Sequence, residues 1–471
     1  MAITTMRCAA AGLALALLAL PVLAQTPADP AREPTEKTAK PPRVSALNVS
    51  ASLSPLADPG GLRSALEDKG ISFTVTYIGE AFRNMRGGLK RGTVYEGRLD
   101  LQLDVNLETL AGLNGLTFHA QLWQIHGRGP SRRLLGNLMS SNIEALPATR
   151  LGELWLEQAM FDDFMGLRVG KVAVDEEFLV SENAALFINS TFGWPTITSV
   201  NLPAGGAIYP WAAPGVRVKL EPRRGVNILG AVLNGDPTGG RPGEPLRHNR
   251  HGTRSPAHNS PFVIVEASYA YNWDEDAAKL PGTVKVGGWD HFGRFDDQRY
   301  DTGGLSLADP AGTGIARRRR GNFGLYAIAD QMLWRLPETA DQGLAAFARL
   351  SVSPGDRNPV NFYADGGFTF KGAIPGRAED MLGLGFAYAR VSKRARALDR
   401  DARDFGAATP IHSSEVLLEI TYQVQIVRGW TVQPDFQYIW RPGGKIANPG
   451  DPGGRAIRNA AIIGLRTTLQ Y

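Results

Sequence analysis

The chain has 471 residues, with 51 Lys and Arg against 46 Asp and Glu and a net charge of +5. So mild an excess among so many charges of both signs argues against nucleic acid as a partner. A single cysteine, Cys8, rules out a disulfide scaffold, and no later stretch stays apolar long enough to cross a membrane as a helix.

The N-terminal stretch "MAITTMRCAAAGLALALLALPVLAQ" joins one cation, Arg7, to an apolar run from Ala9 to Leu20. Val22-Leu23-Ala24 then forms a cleavage site, so residues 1–24 read as a secretory signal peptide. Cys8 precedes the apolar run and leaves with the signal. Residues 25–60 are rich in Pro, Thr, Ala and charge, and read as a flexible periplasmic leader. A short helix is expected over 61–70, ending at Gly70.

From Ile71 to residue 471 the pattern has a period of two. Sixteen strands are predicted, at 71–82, 93–107, 116–126, 151–161, 166–174, 214–221, 226–234, 261–273, 282–293, 323–335, 343–354, 361–371, 381–392, 414–427, 430–440 and 457–471. In "LDLQLDVNLE", Leu99, Leu101, Leu103, Val105 and Leu107 alternate with Asp100, Gln102, Asp104, Asn106 and Glu108. One face of such a strand is aliphatic and the other polar. A soluble sandwich and a membrane barrel both use that design.

The connections separate the two. Longer ones alternate with shorter ones: 83–92 with 108–115, 127–150 with 162–165, 175–213 with 222–225, 235–260 with 274–281, and 393–413 with 428–429. Only 355–360 breaks the rhythm. Long loops at one end, short turns at the other and an even strand count describe an outer-membrane barrel.

Two late strands support a lipid-facing stripe. Val416, Leu418, Ile420, Tyr422, Val424 and Ile426 share a face, with Leu417 as an exception on the other. Trp430, Val432, Phe436, Tyr438 and Trp440 share the next stripe, and Pro434 within it is expected to mark a bulge. Ten positions between the two Trp residues span about 33 Å of strand. Tilted, that is roughly the 25 Å apolar band between aromatic girdles. The last strand, "AAIIGLRTTLQY", is amphipathic and ends on Tyr471, like the signal read by the barrel-assembly machinery. The fold expected is all-β: a transmembrane antiparallel up-and-down barrel over 71–471.

Several segments resemble the carbohydrate-selective porin (OprB) family of Gram-negative outer membranes. They are "GLRSALEDKGI", "LRVGKVAVDEEF" (Leu167–Phe178), "FINSTFGWP" (Phe187–Pro195), "APGVRVKLEP" (Ala213–Pro222) and "VQPDFQYIWRPGG" (Val432–Gly444). The resemblance implies a sixteen-stranded diffusion channel for glucose and other neutral sugars, with no enzyme activity and no cofactor.

A sugar passage calls for paired acids and bases and for aromatic faces rather than a ring of one sign. The longest loop, 175–213, is the expected constriction, because Leu186, Phe187, Ile188 and Phe192 are too apolar to hang in water. It should fold into the lumen, bringing Asp175, Glu176, Glu177, Asn183, Asn189, Trp194, Tyr209 and Trp211. Adjacent strands offer Glu153, Trp155 and Glu157, then Arg168, then Arg217, Lys219 and Glu221. Lumen charges line any wide barrel, and Trp194 and Trp211 are as well suited to anchoring the loop.

His248, His251 and His258 lack the frame of a metal site. Arg317–Arg320 suits lipopolysaccharide phosphates, a cationic rim or a plain solvated loop. Competing readings are a general diffusion porin, an outer-membrane enzyme on a barrel and a soluble periplasmic carbohydrate-binding protein. Monomer and homotrimer remain equally compatible with the sequence.

Overall fold

The computed structural model describes residues 58–138, 141–240, 243–256, 258–272 and 279–471. The expected signal peptide and nearly all of the leader lie outside the described residues. Chain order begins with a short helix, α1 (Leu62–Glu67), where 61–70 was expected. The first eight strands are β1 (Ile71–Gly88), β2 (Gly92–Asn106), β3 (Leu116–Gly127), β4 (Ala148–Met160), β5 (Met165–Val172), β6 (Ala213–Arg223), β7 (Val226–Asn234) and β8 (Pro261–Tyr271). The second eight are β9 (Gly282–Asp301), β10 (Ala316–Arg335), β11 (Gly343–Val352), β12 (Val360–Lys371), β13 (Met381–Val391), β14 (Ser414–Val427), β15 (Trp430–Trp440) and β16 (Arg458–Gln470).

Every strand pairs antiparallel with its chain neighbours, and β1 closes onto β16 to complete a sixteen-stranded barrel. Closure leaves no unpaired edge, which a sheet in hydrocarbon requires. Tyr471 exchanges two 2.8 Å backbone hydrogen bonds with Val75 at the seam. The guanidinium of Arg63, on α1, lies 4.5 Å from the Phe73 ring and 4.9 Å from the Tyr471 ring, tying the helix to that seam.

Alternation then sorts the side chains. Leu154, Leu156, Val216, Val284, Val286, Leu382, Leu384, Phe386, Ile420, Phe436, Ile463 and Leu465 are exposed on the outer wall. Their neighbours of opposite parity, such as Glu153, Arg217, Glu419, Asp435 and Gln437, are buried inside. In water this would be an inverted protein; in lipid it is the stable arrangement. Among the described residues no helix is long and apolar enough to cross a membrane, so the strands do the crossing.

Three local expectations are corrected. The first connection, expected over 83–92, shrinks to 89–91, because bulges beyond Asn84 with Gly87 and Gly88 at positive φ carry β1 onward against β16. Leu107 leaves the lipid stripe: Asn106 accepts from the backbone N–H of Glu108 and Thr109 and caps a one-turn helix, α2 (Leu107–Ala111). Pro434 marks no bulge, since the register to β14 and β16 runs through it unshifted. Its missing N–H leaves a gap in the β14 ladder, and Thr421 Oγ1 donates to its carbonyl at 3.3 Å.

The remaining connections keep the predicted asymmetry. Turns at 161–164, 224–225 and 428–429 share one end with α1 and Tyr471, while 128–147, 173–212, 235–260, 392–413 and 441–457 lie at the other.

Candidate functional site

The connection 173–212 is bonded to inward-facing side chains of strands far from its own. Glu419 on β14 accepts from the backbone N–H of Ile188 and Asn189 at 2.6 and 3.1 Å. Glu266 on β8 accepts from Leu179 N at 2.9 Å, and Asp330 on β10 from Ser181 Oγ at 2.6 Å. Arg349 on β11, 1% exposed, donates to the carbonyls of Leu179, Gly193 and Thr191 at 2.8–3.0 Å. Asp365 on β12 balances its charge at 2.5 Å. Arg349 and Asp365 are buried as a pair, the form in which a charge is tolerated away from water.

Apolar packing completes the attachment. Leu186, Phe187, Ile188, Phe192 and Ile197 meet Phe347, Ala387, Ala389, Leu417, Ile439 and Ile462 in one cluster. Leu417, the parity exception of β14, is thus part of an apolar patch on the inner wall. Beside it, Gly383 and Gly385 clear the way: a Cβ at Gly385 would sit 2.7 Å from Phe192, and one at Gly383 2.8 Å from Leu186.

On the other side of the barrel the inner wall is ionic. Strand register sets Glu157 opposite Arg168 and Arg168 opposite Arg217. Glu177, carried in by the loop, completes the set. Arg168 reaches Glu157 at 2.8 Å and Glu177 at 3.4 Å. Arg217 reaches Glu177 at 2.7 Å and Glu157 at 3.0 Å. Both arginines are almost wholly buried, whereas the side chains of Glu157 and Glu177 remain 23% and 22% exposed. The carboxylates therefore face the open passage and the guanidiniums stand behind them.

Trp155 sits beside this ladder, with the Arg168 guanidinium 3.8 Å from its ring centre and the His119 ring stacked at 4.6 Å. Its indole N–H donates to Glu153 at 3.3 Å, and Glu153 accepts from Ala173 N at 2.6 Å, fixing the start of the loop. His119 is held in turn by Asp104 at 2.8 Å. Asp175 accepts from Tyr209 N at 3.2 Å. Burial pushes its carboxyl up to about 7, and the neighbouring Glu176 pushes the same way. Glu176 itself is exposed.

The sequence-predicted residues thus divide. Glu153, Trp155, Glu157, Arg168, Glu177 and Arg217 come together, with Asp175 and Glu176 adjoining. Lys219 pairs with Glu221 further toward the turn end, both well exposed. Asn189 is elsewhere, buried against β14 and β15, where its Nδ2 donates to Gln437 at 3.0 Å. Trp194 is 4% exposed and donates to Gly205 O within the loop; Trp211 is equally buried beneath Arg150.

Sequence reasoning passed over the anchors Glu266, Asp330, Arg349, Asp365 and Glu419. It also passed over the connection 128–147, whose Ser141 donates to Glu80 at 2.6 Å and whose Asn142 N donates to Ile188 O at 3.0 Å. A charge at inward parity was the available signal, but it names no partner. Among the described residues, no three His, Cys, Asp or Glu side chains converge to hold a metal ion.

Comparison with known proteins matches this architecture. The sequence profile described as carbohydrate-selective porin, OprB family, covers residues 90–471. Porin B of Pseudomonas aeruginosa is 27% identical over 429 residues, spanning 85% of this chain and 90% of its own. The high-pH structure of OprB from Pseudomonas putida superposes with a TM-score of 0.78 at 22% identity, covering 88% of this chain and 97% of the other.

Proposed function

Because the chain belongs to the carbohydrate-selective porin (OprB) family of outer-membrane channels, we propose that it conducts glucose and other neutral monosaccharides by passive diffusion. The narrowing is formed by the connection 173–212, folded into the lumen and facing β4–β6. The observation that carries the proposal is the compensated ladder Glu157–Arg168–Glu177–Arg217: two acids and two bases in mutual contact, carboxylates outward.

Such a surface suits a neutral polyol. Sugar hydroxyls donate to carboxylate oxygens that the arginines have already oriented, so little is lost in reorganisation. An anionic solute finds no cation free of a carboxylate in the ladder. Field and hydrogen bonding thus work together against anions and for sugars. Trp155, Trp194 and Trp211, each about 4% exposed, support the wall and the loop rather than offering a ring face. The polar contacts therefore bear the selectivity.

Liposome swelling with the purified protein tests this. Glucose and mannose should enter several times faster than gluconate of nearly the same size. Equal rates for all three would indicate a general diffusion porin without sugar preference.

A further inference from the structure

Beyond conduction, the outer wall at the closing seam carries cations that the passage does not use. The basic run Arg317–Arg320 is not their place: Arg318 pairs with Asp296 and Arg319 with Asp297, at 3.0 and 2.6 Å. Their place is the far end of β1, at the end of the barrel where the long connections lie, which in such barrels faces the cell exterior. There Phe82 and Asn84 are buried on the inner face, while Ala81, Arg83 and Met85 alternate with them and are exposed on the outer one.

A bulge adds a second cation to that outer face. Unbroken alternation would turn Arg86 inward with Asn84. Instead Met85 is an extra residue in the ladder, so Asn84 stands across from Ile462 and Arg86 across from Ala461. Ala461 shares the outward parity of Ile463 and Leu465, and Arg86 is exposed beside it. Residues directly opposite in a ladder share a face, so the register sets the level of each cation. Arg83 is on the rung of Ile463 and Phe436, both apolar and exposed. Arg86 is on the rung of Ala461 and Tyr438, and Tyr438 meets Trp440 edge-on at 4.5 Å in the outer aromatic girdle. Lys90 and Arg91 follow, both exposed, in the connection 89–91. Among the described residues no carboxylate pairs with any of these four cations, and Glu80 and Glu96 of the same two strands are buried on the inner face.

Below Arg83 the same face forms a furrow. Its floor is Ala81, and its walls are Leu465 across the β16 ladder and Tyr95 across the β2 ladder, both exposed. A small side chain between two large ones leaves room for an acyl chain, and the cations stand at the head of that room. Guanidiniums suit phosphate through two-pronged charged hydrogen bonds. We propose that Arg83 and Arg86 bind a phosphate of an outer-leaflet lipid, one of whose acyl chains lies over Ala81. Lys90 and Arg91 add to the attracting field. The occupant is a lipid rather than free phosphate because the cations share rungs with Ile463, Phe436 and Tyr438, and the furrow runs from them straight into the apolar belt.

The test is native mass spectrometry of the full barrel in detergent, titrated with bisphosphorylated lipid A, dephosphorylated lipid A and inorganic phosphate. Saturable binding of the bisphosphorylated form is expected. It should weaken about tenfold or more in Arg83→Gln/Arg86→Gln, and several-fold in Ala81→Trp, which fills the furrow and keeps both cations. It should hold in Arg247→Gln/Arg254→Gln, which removes the same charge from exposed positions of the connection 235–260. Heat-dependent gel mobility reports that each variant is a folded barrel. On the unmutated protein, equal binding of the dephosphorylated lipid would overturn the proposal, as would full competition by millimolar inorganic phosphate. Unchanged affinity in the folded Arg83→Gln/Arg86→Gln variant would overturn it as well, and so would an equal loss in the charge-matched one.

Discussion

The two sides of the inner wall do opposite jobs with opposite chemistry. Along β13–β15 the wall carries an apolar patch of Gly383, Gly385, Ala387, Ala389, Leu417 and Ile439, flanked by the buried Glu419 and Gln437, and it receives Phe187 and Phe192 of the long connection. Along β4–β6 it is ionic, and it meets the acidic start of that same connection. One side immobilises the loop by burial; the other uses the immobilised loop to complete a polar surface. The contacts that fix the connection at β13–β15 lie across the barrel from the ionic groups of β4–β6.

Separating the two sides by mutation tests that division. The largest effect should come from Arg349→Leu, which leaves Asp365 as an uncompensated buried charge and orphans three loop carbonyls. Such a loss costs about 3–5 kcal/mol. The heat-dependent mobility shift should occur at lower temperature, and the connection 173–212 should become open to protease in the folded barrel. Conductance should rise while sugar preference falls, although no residue of the ionic side has changed.

Next, Gly385→Leu places a branched side chain where Phe192 and Phe187 sit. Overpacking of this kind costs about 1–3 kcal/mol. Swelling assays should show faster entry of larger sugars, because the loop cannot seat fully. An unchanged size cut-off would mean the loop is not held by this patch.

On the ionic side, Arg217→Gln leaves Glu157 and Glu177 sharing one arginine. A charged hydrogen bond contributes about 1.5–3 kcal/mol, so glucose affinity in the channel should fall about tenfold or more. Reversal potentials should shift toward cation selectivity. The smallest effect belongs to Lys219→Gln: its partner Glu221 is 45% exposed, and such pairs contribute under about 1 kcal/mol. Sugar affinity there should stay within twofold, and a larger loss would place the selective region nearer the turn end.

All sixteen strands were legible because each must bury one face in lipid and wet the other, which writes a period of two into the chain. Arg168, Arg217 and Glu157 were legible for the same reason, being polar residues at inward parity on adjacent strands. The seat of the loop was not. Leu417 stood out as an exception, but its meaning depends on Phe187 and Ile439, which alternation alone cannot bring together. Asn189 and Gln437 are 248 residues apart in sequence yet share a hydrogen bond, and no local pattern encodes that. The bulges of β1 were hidden too, since they exchange one regular ladder for another.

The most direct measurement is single-channel current through the purified protein in a planar bilayer, with glucose titrated from micromolar to tens of millimolar and gluconate as the charged control. Saturable block by glucose, much weaker with gluconate and lost in Arg217→Gln, is the predicted result. Steady conductance that neither solute blocks, or equal block by both, would contradict a compensated-charge constriction selecting neutral sugars.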